Sequence, residues 1–246
     1  MTDGIILIDK PAEMTSFGVV ARVRRVLSQQ EEGKEAARAA DSLRARSDEG
    51  KPSVVSHKRK RVKVGHTGTL DPFATGLMIL VIGKECKNAG SYSKLDKVYE
   101  ATFRLGQTST TGDTEGELTD ISDRQPTQTE VETALEQFRG DIKQRPPIFS
   151  AIKIDGKRAY KLARDGQEIE IPERDVTIHS LELLEYSYPE LKIRTHVSSG
   201  TYIRSLCVDI GKALGTGAYC TQLRRTAISK WTVAEAQTLQ EFGVTD

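Results

Sequence analysis

The chain has 246 residues, of which 37% are apolar and 29% charged, enough for one large globular domain or two small ones. No apolar run approaches the roughly 20 residues that cross a bilayer, and Met1-Thr2-Asp3-Gly4 opens no signal peptide, so a cytoplasmic protein spanning no membrane is expected. The net charge is only +1, and Cys86, Cys207 and Cys220 never form a CxxC pair, which excludes a general polycation and argues against a disulfide frame or a cysteine-based zinc site.

In chain order, residues 4–8 read as a buried strand closed by the turn Asp9-Lys10-Pro11. Thr15 or Ser16 caps a helix whose Val19, Val20, Val23, Val26 and Leu27 share one face. Residues 28–60 are rich in Glu, Lys, Arg, Asp, Ser and Ala and have almost no large apolar side chains. Burial there cannot offset the entropy of ordering, so a charged, flexible insertion is expected, with transient helix over 35–46. Strand signals resume at Val62, and a glycine-rich loop runs into the apolar residues 77–82. A short helix over 84–93, a strand over 98–105 and a loop over 107–117 follow. Thr127-Gln128-Thr129-Glu130 is a capping box, with Val131, Ala134, Leu135 and Phe138 on one face and Gly140 as the stop.

Pro146-Pro147 opens a unit with a strand over 148–154, the turn Asp155-Gly156 and a helix over 158–165. Strands are expected at 167–171, 177–186 and 191–197. Ser198-Ser199-Gly200-Thr201 then leads into a helix striped by Ile203, Leu206, Cys207, Ile210 and Leu214, stopped by Gly215. A last strand covers 219–228, and the tail from Trp231 reads mostly as a short helix. Strands and helices mix without βαβ alternation, so the expected fold is α+β around one large, mostly antiparallel sheet, as a single domain over 1–246.

The chain has no GxxxxGK[ST] loop, no GxGxxG after a strand, and no HExxH or Cys/His metal spacing. A reaction without cofactor or metal, run on a carboxylate, is what remains. The stretch Gly65-His66-Thr67-Gly68-Thr69-Leu70-Asp71-Pro72-Phe73-Ala74-Thr75-Gly76 is the place for it, because its only ionisable groups are His66 and Asp71. Its glycines imply positive φ or close backbone approach, and a loop feeding a buried strand can hold one reactive side chain still. Asp71 is the first catalytic candidate. Basic clusters at 57–61 with Lys63, at Arg22/Arg24/Arg25, at Lys157/Arg158/Lys161/Arg164 and at Arg224/Arg225 suit either an anionic partner or a solvated surface.

The stretch from Gly65 to Gly76 resembles the signature loop of the TruB family, the tRNA pseudouridine-55 synthases. Residues 4–11 resemble the family's first strand, Asp96-Lys97-Val98-Tyr99 its second motif, and Arg204 closes a third, Ser199-Gly200-Thr201-Tyr202-Ile203-Arg204. Leu223-Arg224-Arg225 resembles a late leucine-arginine pair, and residues of about 141–171 resemble an RNA-clasping insertion. The resemblance implies the pseudouridine synthase fold and isomerisation of uridine 55 in the tRNA T loop to its C-glycoside, with no cofactor. It implies Asp71 as the nucleophile, attacking C6 of the base or C1′ of the ribose, and Arg204 as its cation, a planar fork able to hold a carboxylate bidentately. An arginine near a helix start opposes the helix dipole and so asks for such a partner. Tyr99 would stack on the flipped base and help move the C5 proton, with Leu223 closing the other side. His66 would prop the RNA with its target nucleotide everted, Lys87 and Asp113 would order the pocket by charge, and Tyr202 would form a wall. The glycines would let the flipped RNA come close to the backbone.

Two features depart from the family pattern. The chain ends at Asp246, where many relatives continue into a small RNA-binding domain of the PUA kind, and the insertion at 28–60 is foreign to it. The expected protein is a monomer binding the T-stem loop of tRNA, without membrane or metal. The rival readings are a catalytic subunit guided by a separate RNA, a tRNA-folding chaperone with dispensable catalysis, and an N-glycosidase that releases uracil.

Overall fold

β3 (Thr75–Ile82) is a continuous apolar run because both of its faces are buried. Met78 and Leu80 join one core cluster with Val19, Val20 and Val23 of helix α1 (Ser16–Arg44), while Leu77 and Ile79 join another with Tyr92 and Trp231. Around β3 the computed structural model, which describes residues 3–44, 62–150, 152–154, 157–158 and 171–245, builds a nine-stranded sheet. Beside β3 lie β1 (Gly4–Lys10) and β12 (Ala218–Ile228), then β4 (Lys97–Leu105), β11 (Glu190–Val197), β10 (Arg174–Ser187) and β7 (Gly140–Gln144). The short strands β2 (Val64–His66) and β13 (Trp231–Thr232) add to β3 and β12. Among the strand pairs of the described residues only β3–β12 is parallel, through Arg224↔Thr75 and Arg225↔Gly76. The expected α+β fold with a large, mostly antiparallel sheet is the one observed.

The sequence signals translate locally as physics requires. Thr15 accepts from the Gly18 N–H at 3.0 Å and is the cap of α1, which frees Ser16 for another task. In α3 (Gln128–Glu136) the Thr127–Glu130 capping box is formed in both directions. Helix α4 (Ile203–Ala213) buries the stripe of Ile203, Leu206, Cys207 and Ile210 against β12, and Gly215 ends it at φ +67°. β4 alternates, with Tyr99, Ala101, Phe103 and Leu105 in the core and Val98, Glu100 and Arg104 on the other face.

Several elements differ from expectation. α1 continues to Arg44, well into the segment read as an insertion. Its apolar stripe stops near Leu27, but Glu, Lys, Ala and Arg are strong helix formers, and Lys34 and Glu31 pair at 3.8 Å one turn apart. Residues 45–61, with most of the first basic cluster, lie outside the described residues. The loop expected at 107–117 begins as β5 (Gln107–Ser109), which forms a hairpin with β6 (Leu118–Asp120) that carries no apolar alternation to announce it. Gly140 does not merely stop α3, because at φ +86° it starts β7. Between β7 and β10, the strands β8 (Lys153–Ile154) and β9 (Lys157–Arg158) pair antiparallel where one strand and a helix start were expected. The rest of that helix and most of the strand at 167–171 lie outside the described residues. The tail is not mainly helical. Trp231 turns back to pair with Ile228 and rests its ring 5.8 Å from that of Tyr92, in the short helix α2 (Ala89–Ser93), and only a 3-10 turn (Val233–Glu235) follows.

Gly76 corrects the expectation that the glycines of its loop make room for RNA. It sits at φ +106°, and a Cβ there would lie 2.3 Å from the Arg225 carbonyl oxygen and 2.8 Å from its nitrogen. Its task is to let β3 and β12 close on each other. Gly76→Ala is therefore expected to destabilise the protein by more than about 2 kcal/mol, read from the urea midpoint. Gly33→Ala, inside α1 with nothing within 4 Å of the new methyl, should stabilise by about 0.5–1 kcal/mol. A destabilised Gly33→Ala protein would count against a formed helix there.

Candidate active site

Residues 67–74 form an arch over the start of β3, held by atoms from four distant segments. Thr67 donates its N–H to the Ile79 carbonyl at 3.2 Å. Ser16, released from capping, donates Oγ–H to the Leu70 carbonyl at 2.9 Å and accepts the Leu70 N–H at 2.8 Å. The Lys10 ammonium, fully buried, donates to the carbonyls of Pro11, Met14 and Pro72 at 2.8, 2.6 and 3.1 Å. Arg225, 1% exposed, donates Nε–H to the Leu77 carbonyl at 2.7 Å and Nη2–H to that of Gly68 at 3.4 Å. Arg224 grips Asp9 through two bonds of 2.7 and 3.2 Å. Arg225 therefore braces the arch from inside, unlike the outward basic cluster expected there, while the Arg224 side chain stays 41% exposed with its guanidinium tied to Asp9.

At the crown of the arch, Asp71 faces Arg204, the second residue of α4. Arg204 Nε lies 2.9 Å from Asp71 Oδ2, but its N–H is not aligned for a hydrogen bond. The expected bidentate fork onto Asp71 is not formed. Instead Nη1 reaches Asp113 Oδ2 at 3.1 Å and the Thr111 carbonyl at 2.8 Å, while Nη2 donates to the Phe149 carbonyl at 2.8 Å. The guanidinium, its side chain 4% exposed, is shared between two carboxylates, and both of its terminal nitrogens find buried acceptors while Nε–H keeps only the charge contact with Asp71. Asp113 is further held by the Thr111 hydroxyl at 2.5 Å and the Glu115 N–H at 3.0 Å.

The charges around Asp71 pull against each other. Burial pushes its carboxyl above the ordinary carboxylate range; Arg204 opposes this, Asp113 adds to it, and Lys10 pulls it down. Burial also lowers Lys10 and Lys97 to about 8 each, with Arg225 pushing both the same way. A carboxylate that is partly desolvated, still paired with a cation and not tightly hydrogen-bonded is a competent nucleophile.

Asp71 and Arg204 open onto a cavity of about 240 Å³ walled by Tyr99, Tyr202, Leu223 and Lys97. Tyr99, 8% exposed on β4, and Leu223, 7% exposed on β12, stand on strands that are direct neighbours. Tyr202 is fixed by a reciprocal amide clamp. Its N–H donates to Gln144 Oε1 at 2.7 Å, and Gln144 Nε2–H returns to its carbonyl at 3.0 Å. Burial holds the Tyr202 phenol above its usual value. His66 is placed elsewhere. It lines an adjoining cavity of about 650 Å³ that shares Asp71 and Arg204 and is rimmed by the exposed Phe17 and Phe149. Lys87 is not brought to the site. It is exposed on the 3-10 helix Gly83–Asn88, beyond the opposite end of β3 from Asp71, and lines neither cavity. Lys10, Lys97, Gln144 and Arg225 were missed as site residues. Their signal was that polar side chains interrupt otherwise buried strand positions, which becomes readable only once the strands are paired.

Residues 56–203 match the family model for the TruB family pseudouridylate synthase N-terminal domain, and residues 204–244 match that for the tRNA pseudouridylate synthase B C-terminal domain. Over 98% of the chain, 41% of residues are identical to a tRNA pseudouridine synthase B of Azoarcus sp. (strain BH72), of which 69% is covered. Another, from Corynebacterium jeikeium (strain K411), is 38% identical over 97% of the chain and 70% of its own length. Among solved structures, a chain of a Cbf5-Nop10-Gar1 complex superposes with a TM-score of 0.65 at 26% identity, over 96% of this chain and 52% of that one. The chain thus spans about two thirds of the curated relatives' length and about half of the solved chain's.

Proposed function

The chain belongs to the TruB family of pseudouridylate synthases, and we propose that it isomerises uridine 55 in the T loop of tRNA to pseudouridine, as a cytoplasmic monomer without cofactor. The observation that carries this reading is the half-buried Asp71, set 2.9 Å from the Arg204 guanidinium at the mouth of a cavity walled by two tyrosines and a leucine. No helix among the described residues is long and apolar enough to cross a membrane.

In the proposed reaction the target uridine leaves its stack and enters the cavity, at a cost of a few kcal/mol offset by phosphate contacts around it. The Asp71 carboxylate attacks C6 of the base or C1′ of the ribose. The N1–C1′ bond breaks, with its electron pair going to N1, and the uracil turns between the apolar walls of Tyr99 and Leu223. C5 then bonds to C1′, and the bond from Asp71 is released, displaced from C1′ by C5 or expelled from C6 as the C5–C6 double bond re-forms. The C5 proton then leaves, relayed in this reading by the Tyr99 hydroxyl, and N1 takes up a proton in exchange, so that the product is an isomer of the substrate. Asp113 keeps Arg204 in place throughout, so that the cation follows the changing charge on Asp71.

The test is T-stem loop RNA carrying tritium at uridine C5. Release of tritium without free uracil supports isomerisation, whereas free uracil would identify an N-glycosidase and unaltered RNA a binding protein. Tyr99→Phe retains the ring and loses the hydroxyl. It is expected to slow tritium release by at least about 100-fold with RNA binding unchanged, and an undiminished rate would remove Tyr99 from proton transfer. The RNA-guided alternative predicts no activity on free T-stem loop, and the higher identity to tRNA pseudouridine synthase B than to the Cbf5 complex chain speaks against it.

A further inference from the structure

We propose that Asp96, His179 and His196 form a binding site for a divalent transition metal, zinc in the first place, on the sheet face opposite the Asp71 cavity. Antiparallel partners project to the same face of a sheet, and successive residues project to opposite faces. Thr195 pairs with Tyr99 on the cavity side, so His196, paired with Val98, points away from it. On the neighbouring strand the register shifts, because Ile178 pairs with Val197 and Ser180 with His196, leaving His179 as an extra residue in a bulge. A bulge re-aims a side chain. Here it swings His179 beside His196, with ring centroids 4.7 Å apart and planes tilted by 46°.

Asp96, the residue before β4, completes the group. His179 Nε2 is 3.2 Å from Asp96 Oδ2, and one donor atom from each of the three residues lies within 4.8 Å of the others. Zinc bonds of about 2.0–2.1 Å in a tetrahedron put ligand atoms about 3.3 Å apart. The His179–Asp96 edge already has that length, and His196 needs to move inward by at most about 1.5 Å to match it. The His179 and Asp96 side chains are 37% and 43% exposed, so both the ion and the adjustment have room. A hydrogen-bonded His179–Asp96 pair alone would explain the 3.2 Å contact. It would not explain a bulge that brings a second imidazole to the same point. Two imidazoles and a carboxylate leave one position for water and favour zinc, cobalt or nickel over magnesium or calcium, which prefer oxygen ligands throughout.

The metal would act as a clamp. Asp96 leads directly into Lys97 and Tyr99, and its carbonyl also accepts the Ser229 N–H at 2.9 Å. An ion on this face would tie the start of β4 to β10 and β11 without touching the reacting groups.

The test uses the full, untagged chain stripped with EDTA and then dialysed against zinc, with bound metal measured by elemental analysis. One equivalent of zinc is expected, with none retained from magnesium, and cobalt substitution should give a tetrahedral visible spectrum without thiolate charge transfer. The double variant His179→Ala/His196→Ala should weaken zinc binding by more than about tenfold while its metal-free melting midpoint and circular dichroism stay unchanged. Asp96→Asn should weaken it as well, and zinc should raise the melting midpoint of the parent protein only. Absence of stoichiometric zinc, its full retention in the double variant, or a thiolate signature in the cobalt spectrum would overturn the proposal.

Discussion

Asp71→Asn is expected to lower tritium release from C5-labelled T-stem loop RNA by at least about 1,000-fold, since an amide cannot act as the attacking carboxylate. The change is nearly isosteric, and Arg204 retains Asp113 and the carbonyls of Thr111 and Phe149, so the fold should survive. Linkage adds a signed expectation. The folded-state pKa of Asp71 is raised, chiefly by burial, so the folded chain holds this proton more tightly than the unfolded one. Ionising Asp71 therefore costs stability as pH rises from the ordinary carboxylate value through the raised one. The neutral Asn carries no such cost, and above that window the variant should be at least as stable as the parent. The same shift sets the acid limb of the parent's turnover above the ordinary carboxylate range. As pH falls through it, the nucleophile is protonated and the rate drops. An active Asp71→Asn enzyme would end the proposed mechanism, and an acid limb at or below the ordinary value would contradict the desolvated site.

Arg204→Lys should damage turnover and stability together while sparing RNA binding. An ammonium keeps the charge but is a single point, whereas Arg204 reaches Asp71, Asp113, Thr111 and Phe149 in four directions at once. With Lys, Asp113 at 3% exposure keeps little of its pairing. Loss of a buried partner costs about 3–5 kcal/mol at the upper end, and part of that should appear as a lower urea midpoint. Turnover should fall by at least about 100-fold, because the cation no longer sits where charge on Asp71 changes. Equal turnover in the Lys variant would mean that charge alone suffices and that the fork has no role.

Both predictions depend on a network that is only half visible in the chain. Asp71 stands out in its glycine-rich loop, and Tyr99, Tyr202, Arg204 and Leu223 fall in motifs whose order along the chain points to the TruB family. The capping box at Thr127 and the stripe of α4 were equally legible, because they are written within one turn or one face. Lys87 misled because a resemblance places a residue in sequence, not in space, and the chain after β3 carries it past the far end of the strand. The tail misled for a related reason, since Trp231 finds its apolar partner in Tyr92, far back in the chain.

By itself, then, the sequence determined what local chemistry can encode: the α+β class, the apolar faces, the caps and the candidate carboxylate. Tertiary structure alone decided who shares Arg204, why Ser16 and Arg225 hold the arch, and that Gly76 yields to Arg225 rather than to RNA. It also brought Asp96, His179 and His196 together from three separate segments, which no ligand spacing could foretell. The physical reason is common to all of these. A buried charge or donor must find its partner wherever the packed strands present one, and strand pairing in this sheet joins residues more than a hundred positions apart.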